Sequence, residues 1–568
     1  MTKYFIPLWA LVLIVVFVPQ LSAQISLADV PKKKFIELGW DIPNTAFLKE
    51  HHEEMQRTTP FDGVMLALEA TRPDGKKVSS QSVMDPTPWE PVWFEAAVAD
   101  LKTCRWTAFT DNFIRFNYTP GLVEWVDDAG WKVFCDKTSF CAKIAKTTGL
   151  KGLAIDFEPY GKAVFKYDRN SGMSFTETKE LVRNRGRQWM QSLAVEFPDM
   201  VLFTLFILDF VPKPAEGDDL DVMLEPAHYG LLPSFFNGML DVAPPMMKIV
   251  DGCESGYYHN GIDEFSRRAL MIQSVGGPAM RLVEPENRQK YAAQVQVGFG
   301  FYLDMYVNPE GSKYYRGPVE GGTRLDRLAE NLSAAKETCD EYIWIYGEKR
   351  CWWSPGQGAH PAATSEHWEA AIPGVARTIL RIKNPVEAAR KVFEKQKVDD
   401  WGNLVRNGDF KESRAGKTID IRFPEHWQAW QHDPIGSFSW DGNMGEGSAK
   451  ASKVKWGCFL QKHPVKPGEY YYVALDAEKQ GVGWIGMRIR WQDSDQKWTK
   501  EEDDRSFTFG ASSVVTDDRP LAEGWQRAGG VVKIPEGAGF LQIQAGIRDQ
   551  ETDGDAAWFD NAVLIRLE

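Results

Sequence analysis

The chain has 568 residues, 43% of them hydrophobic, with 22 tryptophans and a formal net charge of −13. That length predicts more than one domain with sizeable cores, and the negative balance argues against nucleic acid or an anionic membrane as a partner. Seven cysteines with no CxxC pair and no histidine cluster fit neither a disulfide scaffold nor a zinc site, so no metal and no cofactor are expected.

The first residues, MTKYFIPLWALVLIVVFVPQLSAQ, set Lys3 before an apolar run that ends on Leu21, Ser22 and Ala23. This is the pattern of a secretory signal, residues 1–23, cut after Ala23, and it predicts a secreted or periplasmic protein. An uncleaved anchor is the alternative, because the run from Phe5 to Leu21 is near the shortest length that spans a bilayer.

From residue 35 onward, short β-rich runs alternate with amphipathic helical stretches. The runs are FIELGWD (35–41), FDGVMLAL (61–68), WTAFTDNFIRFN (106–117), GLAIDFE (152–158), VLFTLFILDF (201–210), MKIVDGCE (247–254), VQVGFGFYLDMY (295–306) and YIWIYGE (342–348). Eight strand–helix units predict an α/β fold, a (β/α)8 TIM barrel over residues 33–397. A doubly wound open sheet is the alternative, but its first strand ordinarily leads into a glycine-rich phosphate turn, and here it ends in GWDIPN.

A charged segment, VFEKQKVDDWG (392–402), closes this region, and the texture then changes. Short alternating runs such as GEYYYVALDAE, WIGMRIRWQD and GFLQIQAGIRD, with no helical period, predict an all-β sandwich over 401–568. After its first residue, Trp401, it holds nine further tryptophans: Trp427, Trp430, Trp440, Trp456, Trp484, Trp491, Trp498, Trp525 and Trp558. Trp558 is expected in the core, and two or three of the others are candidates for a glycan platform.

The fourth run carries the clearest chemistry. Alternation puts Leu153, Ile155 and Phe157 on one face and Gly152, Ala154, Asp156 and Glu158 on the other. The apolar face must meet helices, so the two acids point into the barrel at the C-terminal end of the strand, where barrel active sites are built. Two carboxyls on one face disfavour joint ionisation, which predicts a raised pKa for one of them and makes Glu158, the outer one, the candidate acid. A plain salt bridge to a neighbouring Arg or Lys is the alternative reading.

Other runs end in acids as well: Asp41, Glu69, Asp111 with Asn112, Asp209, Asp251 with Glu254, Asp304 and Glu348. The sixth turn adds Tyr257, Tyr258 and His259, and the eighth adds Trp352 and Trp353, rings suited to sugar faces. The catalytic candidates are Glu158, Asp156 and Glu254, with Glu254 as the second carboxylate across the cleft. The substrate-binding candidates are Asp41, Asp209, Asp251, Tyr257, Tyr258, Asp304, Glu348, Trp352 and Trp353.

Two segments resemble known families. NLVRNGDF (403–410), GSAKA (447–451), VKPGEYYYV (465–473) and WFDNAVLIRL (558–567) look like the jelly-roll carbohydrate-binding modules of families 4, 9 and 22. Such modules often carry an acid after NGDF that helps hold calcium; here that position is Lys411, which leaves Asp409 and Asp560 as candidates. KGLAIDFE resembles the strand-four motif of family 18 glycoside hydrolases, D-G-x-D-x-D-x-E, with Lys151 and Ala154 in place of the first two acids. The resemblance implies a general acid at Glu158 and a substrate-positioning residue at Asp156.

Together these features predict a secreted, monomeric glycoside hydrolase that acts on a polysaccharide or oligosaccharide and is targeted by its C-terminal module. A glycan-binding protein with a degenerate barrel and a polysaccharide lyase are the alternatives. A lyase wants a Lys, Tyr or His base, and it leaves an unsaturated, ultraviolet-absorbing product.

Overall fold

The computed structural model describes residues 33–274, 277–355, 359–385, 388, 402–416, 421–509 and 519–567. The expected signal segment and most of the charged segment 392–402 lie outside the described residues.

The N-terminal unit is a nearly closed barrel of parallel strands wrapped by helices. Its strands are β1 (Lys34–Gly39), β2 (Gly63–Leu66), β3 (Phe113–Asn117), β4 (Gly152–Asp156), β5 (Val201–Thr204), β6 (Lys248–Asp251), β7 (Val295–Val297), β8 (Phe299–Tyr302) and β9 (Tyr342–Gly347). They follow the order β8-β9-β1-β2-β3-β4-β5-β6-β7. Only Gly298 separates β7 from β8, so the two ends of the sheet are successive parts of one chain run. At Gly298 a Cβ would stand 3.1 Å from the Tyr342 carbonyl and 3.1 Å from Val250, so a larger residue would have to push its neighbours aside.

Local chemistry sets the helix starts. Asn44 caps α1 (Thr45–Thr58) by accepting from the Phe47 N–H, and Asp127 caps α2 (Asp128–Thr147) by accepting from Gly130. Ser174 and Glu177 form a reciprocal box at the start of α3 (Phe175–Glu196). A Cβ at Gly186 would stand 2.1 Å from the Phe235 carbonyl, so α3 and α4 (Leu232–Val242) pack backbone to backbone.

Two strands are shorter than the sequence predicts, and in both cases side chains take over the backbone donors. Residues 107–109 do not pair in the sheet because Gln56 Oε1 accepts their three N–H groups at 2.7, 3.0 and 3.1 Å. Asp111 and Asn112 therefore precede β3 instead of following it. Asp111 sits at the opposite end of the barrel from the cleft, 3.0 Å from Lys34 Nζ and accepting from the Tyr342 hydroxyl at 2.9 Å. The fifth strand stops at Thr204 because the Asp251 carboxylate accepts from the Ile207 and Leu208 N–H groups, drawing that segment off the sheet.

The described residues of the C-terminal unit are antiparallel, with a short two-stranded pair, Ser413–Ala415 with Arg422–Pro424, and two five-stranded sheets. In chain order the strands are β10 (Gln428–Gln431), β11 (Ser437–Asp441), β12 (Ser448–Ser452), β13 (Trp456–Pro464), β14 (Tyr470–Gln480), β15 (Trp484–Gln492), β16 (Arg505–Thr508), β17 (Gln526–Lys533), β18 (Phe540–Arg548) and β19 (Ala556–Leu567). One sheet runs β10-β13-β18-β15-β16, the other β11-β12-β19-β14-β17. Alternate residues such as Phe459, Met487, Ile543 and Phe559 fill the core between them. The opening NLVRNGDF acts as a clasp on the closing strand: Asn403 accepts from Leu564 N–H and donates to the Ala562 carbonyl. Trp558 is buried as expected but on the outer face of β19, opposite its core-facing neighbours, with Nε1 donating to Asp441 under the Lys450 ammonium.

Candidate functional site

A cleft of about 910 Å³ opens at the C-terminal ends of the barrel strands. Five carboxylates line it: Glu69, Asp156, Glu158, Glu254 and Glu348. Its walls are aromatic, with Trp40, Phe206, Phe210 and Trp344 among seven tyrosines that include Tyr160, Tyr229, Tyr257 and Tyr258.

Asp156 ends β4 inside this cleft and is almost fully buried. Its register partner Asn117 and the residue two before it, Arg115, come from the same inward face of β3. The Arg115 guanidinium lies 2.9 Å from Asp156 Oδ2, and the Tyr160 hydroxyl donates to the same oxygen at 3.1 Å. Asp156 Oδ1 accepts from the Glu158 N–H at 2.9 Å, which closes the turn after the strand and aims Glu158 into the cleft. Desolvation pushes the Glu158 carboxyl above its usual range and Asp156 adds to that, while the Arg115 charge opposes it.

Glu254 arrives from β6 by a strained turn. Cys253 takes a left-handed conformation, φ 43°, and the one-turn helix Glu254–Tyr258 that follows carries Glu254, Tyr257 and Tyr258 into the cleft. Two buried aspartates hold this turn. Asp251 accepts from the Cys253 N–H at 3.2 Å, and Asp209 accepts from both the Ser255 N–H and hydroxyl at 2.9 Å while pairing with Arg268 at 2.9 Å. Burial drives the Glu254 carboxyl well above its ordinary range, and the charges of Asp156, Glu158 and Asp209 push the same way. Glu158 and Glu254, from different strand ends, thus feel one another across a shared cleft.

The structure places the remaining candidates in two groups. Tyr257, Tyr258 and Glu348 line the cleft. Asp41, Asp209, Asp251, Asp304, Trp352 and Trp353 stand behind its wall. Asp304 accepts from the Glu348 N–H at 2.9 Å, and Asp41 accepts from the Trp352 N–H at 2.7 Å. Trp353 donates to the Asp41 carbonyl, and Trp352 packs edge-on against Phe61 at 4.9 Å. His259 is buried with Arg268 donating to its ring at 3.2 Å; desolvation and that charge lower its pKa to about 4. Arg115, Tyr160 and Tyr229 are cleft residues the sequence reading missed. The signal for Arg115 was present: it is the cation in FIRFN, on the inward parity of an otherwise apolar strand.

The C-terminal unit carries a second aromatic surface. On the outer face of its first sheet, Trp456, Arg548 and Trp484 are register neighbours across β13, β18 and β15. Trp430, Trp456 and Trp484 are 46%, 46% and 38% exposed. Gly486 and Gly546 form the floor beneath: a Cβ at Gly486 would stand 2.2 Å from the Trp484 ring, so the ring lies over the strands. Trp427 and Trp491, by contrast, are core residues. At the far corner, Lys411 brings its ammonium 3.5 Å from Asp409 and 2.6 Å from Glu446.

No protein-family model matches this chain, nor does any curated protein. Among solved structures, it is similar to the enzymatically active domain of tailspike protein 4 from bacteriophage CBA120, at 16% identity over 29% of this chain and 21% of that one, TM-score 0.21. It is also similar to a CBM4 carbohydrate-binding module, at 16% identity over 28% of this chain and 99% of that one, TM-score 0.21. A third is TmCBM61 in complex with β-1,4-galactotriose, at 13% identity over 29% and 99%, TM-score 0.19. Likeness at this level assigns this chain neither a family nor an activity.

Proposed function

We propose that the protein is an exported glycoside hydrolase: a (β/α)8 TIM barrel whose cleft cleaves O-glycosidic bonds, joined to a jelly-roll module that binds glycan through its tryptophan face. The observation that carries this reading is the pairing of Glu158 and Glu254, two desolvated carboxyls from different strand ends, in one cleft walled by tyrosine and tryptophan. Glycoside hydrolysis needs one carboxyl that keeps its proton near neutral pH and a second that is ionised.

Glu254, whose proton burial and the neighbouring charges of Asp156, Glu158 and Asp209 retain, donates it to the leaving oxygen. Glu158, whose ionised form the Arg115 charge supports, serves as nucleophile or as base for water. These roles reverse the sequence-based expectation, because strand position says nothing about how far each carboxyl is removed from water. Asp156, held by Arg115 and Tyr160, orients the substrate beside them.

A panel of aryl glycosides with leaving groups of graded basicity tests the assignment. Glu254→Gln should lose roughly 100- to 10,000-fold on poor leaving groups and far less on activated ones, whereas Glu158→Gln should lose on both. A variant that keeps more than half of wild-type turnover on poor leaving groups loses its assigned role. Wild-type protein inert on every glycoside and polysaccharide offered would sink the hydrolase reading.

A further inference from the structure

We propose that the tryptophan face of the C-terminal unit selects carboxylate-bearing glycans, uronate polymers, through Arg548. This rests on the reading that the unit binds glycan and specifies the ligand's charge. Three arginines, Arg488, Arg490 and Arg548, stand on the outer face of that sheet. Two are satisfied by the chain itself: Arg488 pairs with Asp504 at 2.7 Å and Glu501 at 2.8 Å, and Arg490 pairs with Asp504 at 3.0 Å. Arg548 has no carboxylate partner among the described residues, although it occupies the middle of the aromatic row.

Its environment explains what a ligand would add. The Arg548 guanidinium carbon lies 5.7 Å from the Trp456 ring centroid and 5.5 Å from that of Trp484, so its position is set by contact with both rings. Such stacking engages the plane of the guanidinium and leaves the N–H donors at its edge for a planar, bidentate acceptor. His432 already stacks on Trp456, so the open platform is Trp484, and a sugar ring lying on it would bring a carboxylate at its C5 substituent to that edge. The chain's net charge of −13 repels polyanions as a whole, so retention of one requires a local site of this kind.

Affinity electrophoresis of the full chain, in gels containing polygalacturonate, alginate or hyaluronan and in matched gels containing their methyl esters, tests the proposal. At least one uronate polymer should retard the protein and its ester should not, with retardation falling as salt rises. Arg548→Gln should weaken that retardation roughly ten-fold or more, and Arg548→Lys should restore part of it; both exposed substitutions should leave the melting temperature unchanged. Equal retardation by an ester, equal retardation by polyglutamate, or an indifferent Arg548→Gln would overturn the carboxylate assignment. Retardation by neutral glycans alone would overturn it too and leave glycan binding standing. Retardation by no acidic or neutral polysaccharide would remove the binding reading beneath it.

Discussion

The barrel cleft and the tryptophan face use the same materials, aromatic rings and charged side chains, with opposite electrostatic results. In the cleft the charges are carboxylates withdrawn from water, and burial forces Glu158 and Glu254 to hold protons more tightly. On the face the charges are arginines left at the surface, where Arg548 keeps its cation against two exposed rings. Depth therefore separates chemistry from recognition: a desolvated acid can transfer a proton near neutral pH, while an exposed guanidinium can only attract and orient.

The sharpest way to break this contrast is to remove Arg115, the one Lys or Arg among the described residues that line the cleft. Arg115→Met leaves Asp156, almost fully buried, without its ion-pair partner, and should cost about 3–5 kcal/mol in unfolding free energy, read from denaturant midpoints. Arg115→Lys should recover part of that, since it restores charge without the fork. A change below ~1 kcal/mol for Arg115→Met would mean the cleft acids are less desolvated than the contrast requires.

The face should respond differently. Trp456→Ala is expected to weaken polysaccharide retention roughly ten-fold, because an anchoring ring is lost, while turnover of small soluble glycosides stays within two-fold of wild type. Equal loss in both assays would show that the two surfaces act as one site.

The smallest predicted effect asks whether burial of acids by itself implies function. Glu37 and Asp41 form a buried pair outside the cleft: among the described residues neither Glu37 oxygen has a partner beyond this pair, and burial lifts Asp41 to about 6. A raised carboxyl favours the protonated fold, so this stabilisation is complete below the unfolded value of about 4 and is lost as pH climbs through 6. Glu37→Gln supplies a permanent donor to Asp41 and should stabilise the protein by about 1–2 kcal/mol at pH 8, with the gain vanishing near pH 4 and turnover unaffected. Denaturation curves between pH 4 and 8 check it; a gain independent of pH would show that Glu37 and Asp41 share no proton.

The sequence by itself determined the periodic features. Alternation of β-rich runs and helical stretches foretold the parallel barrel, the loss of helical period after Asn403 foretold the antiparallel sheets, and strand parity placed Asp156 on the inward face of β4. Those are properties of neighbours along the chain, and periods of two and 3.6 residues record them. What only the tertiary structure decided is which of many strand-end acids stay available. Asp41, Asp209, Asp251 and Asp304 look the same in sequence as Glu158 and Glu254, yet each spends a carboxylate oxygen on a backbone N–H from another loop. Trp456, Arg548 and Trp484, far apart in sequence, become one row only when three strands pair. A carboxylate's proton affinity and a ring's neighbours depend on distance through space and on exclusion of water, and neither quantity is written in local order.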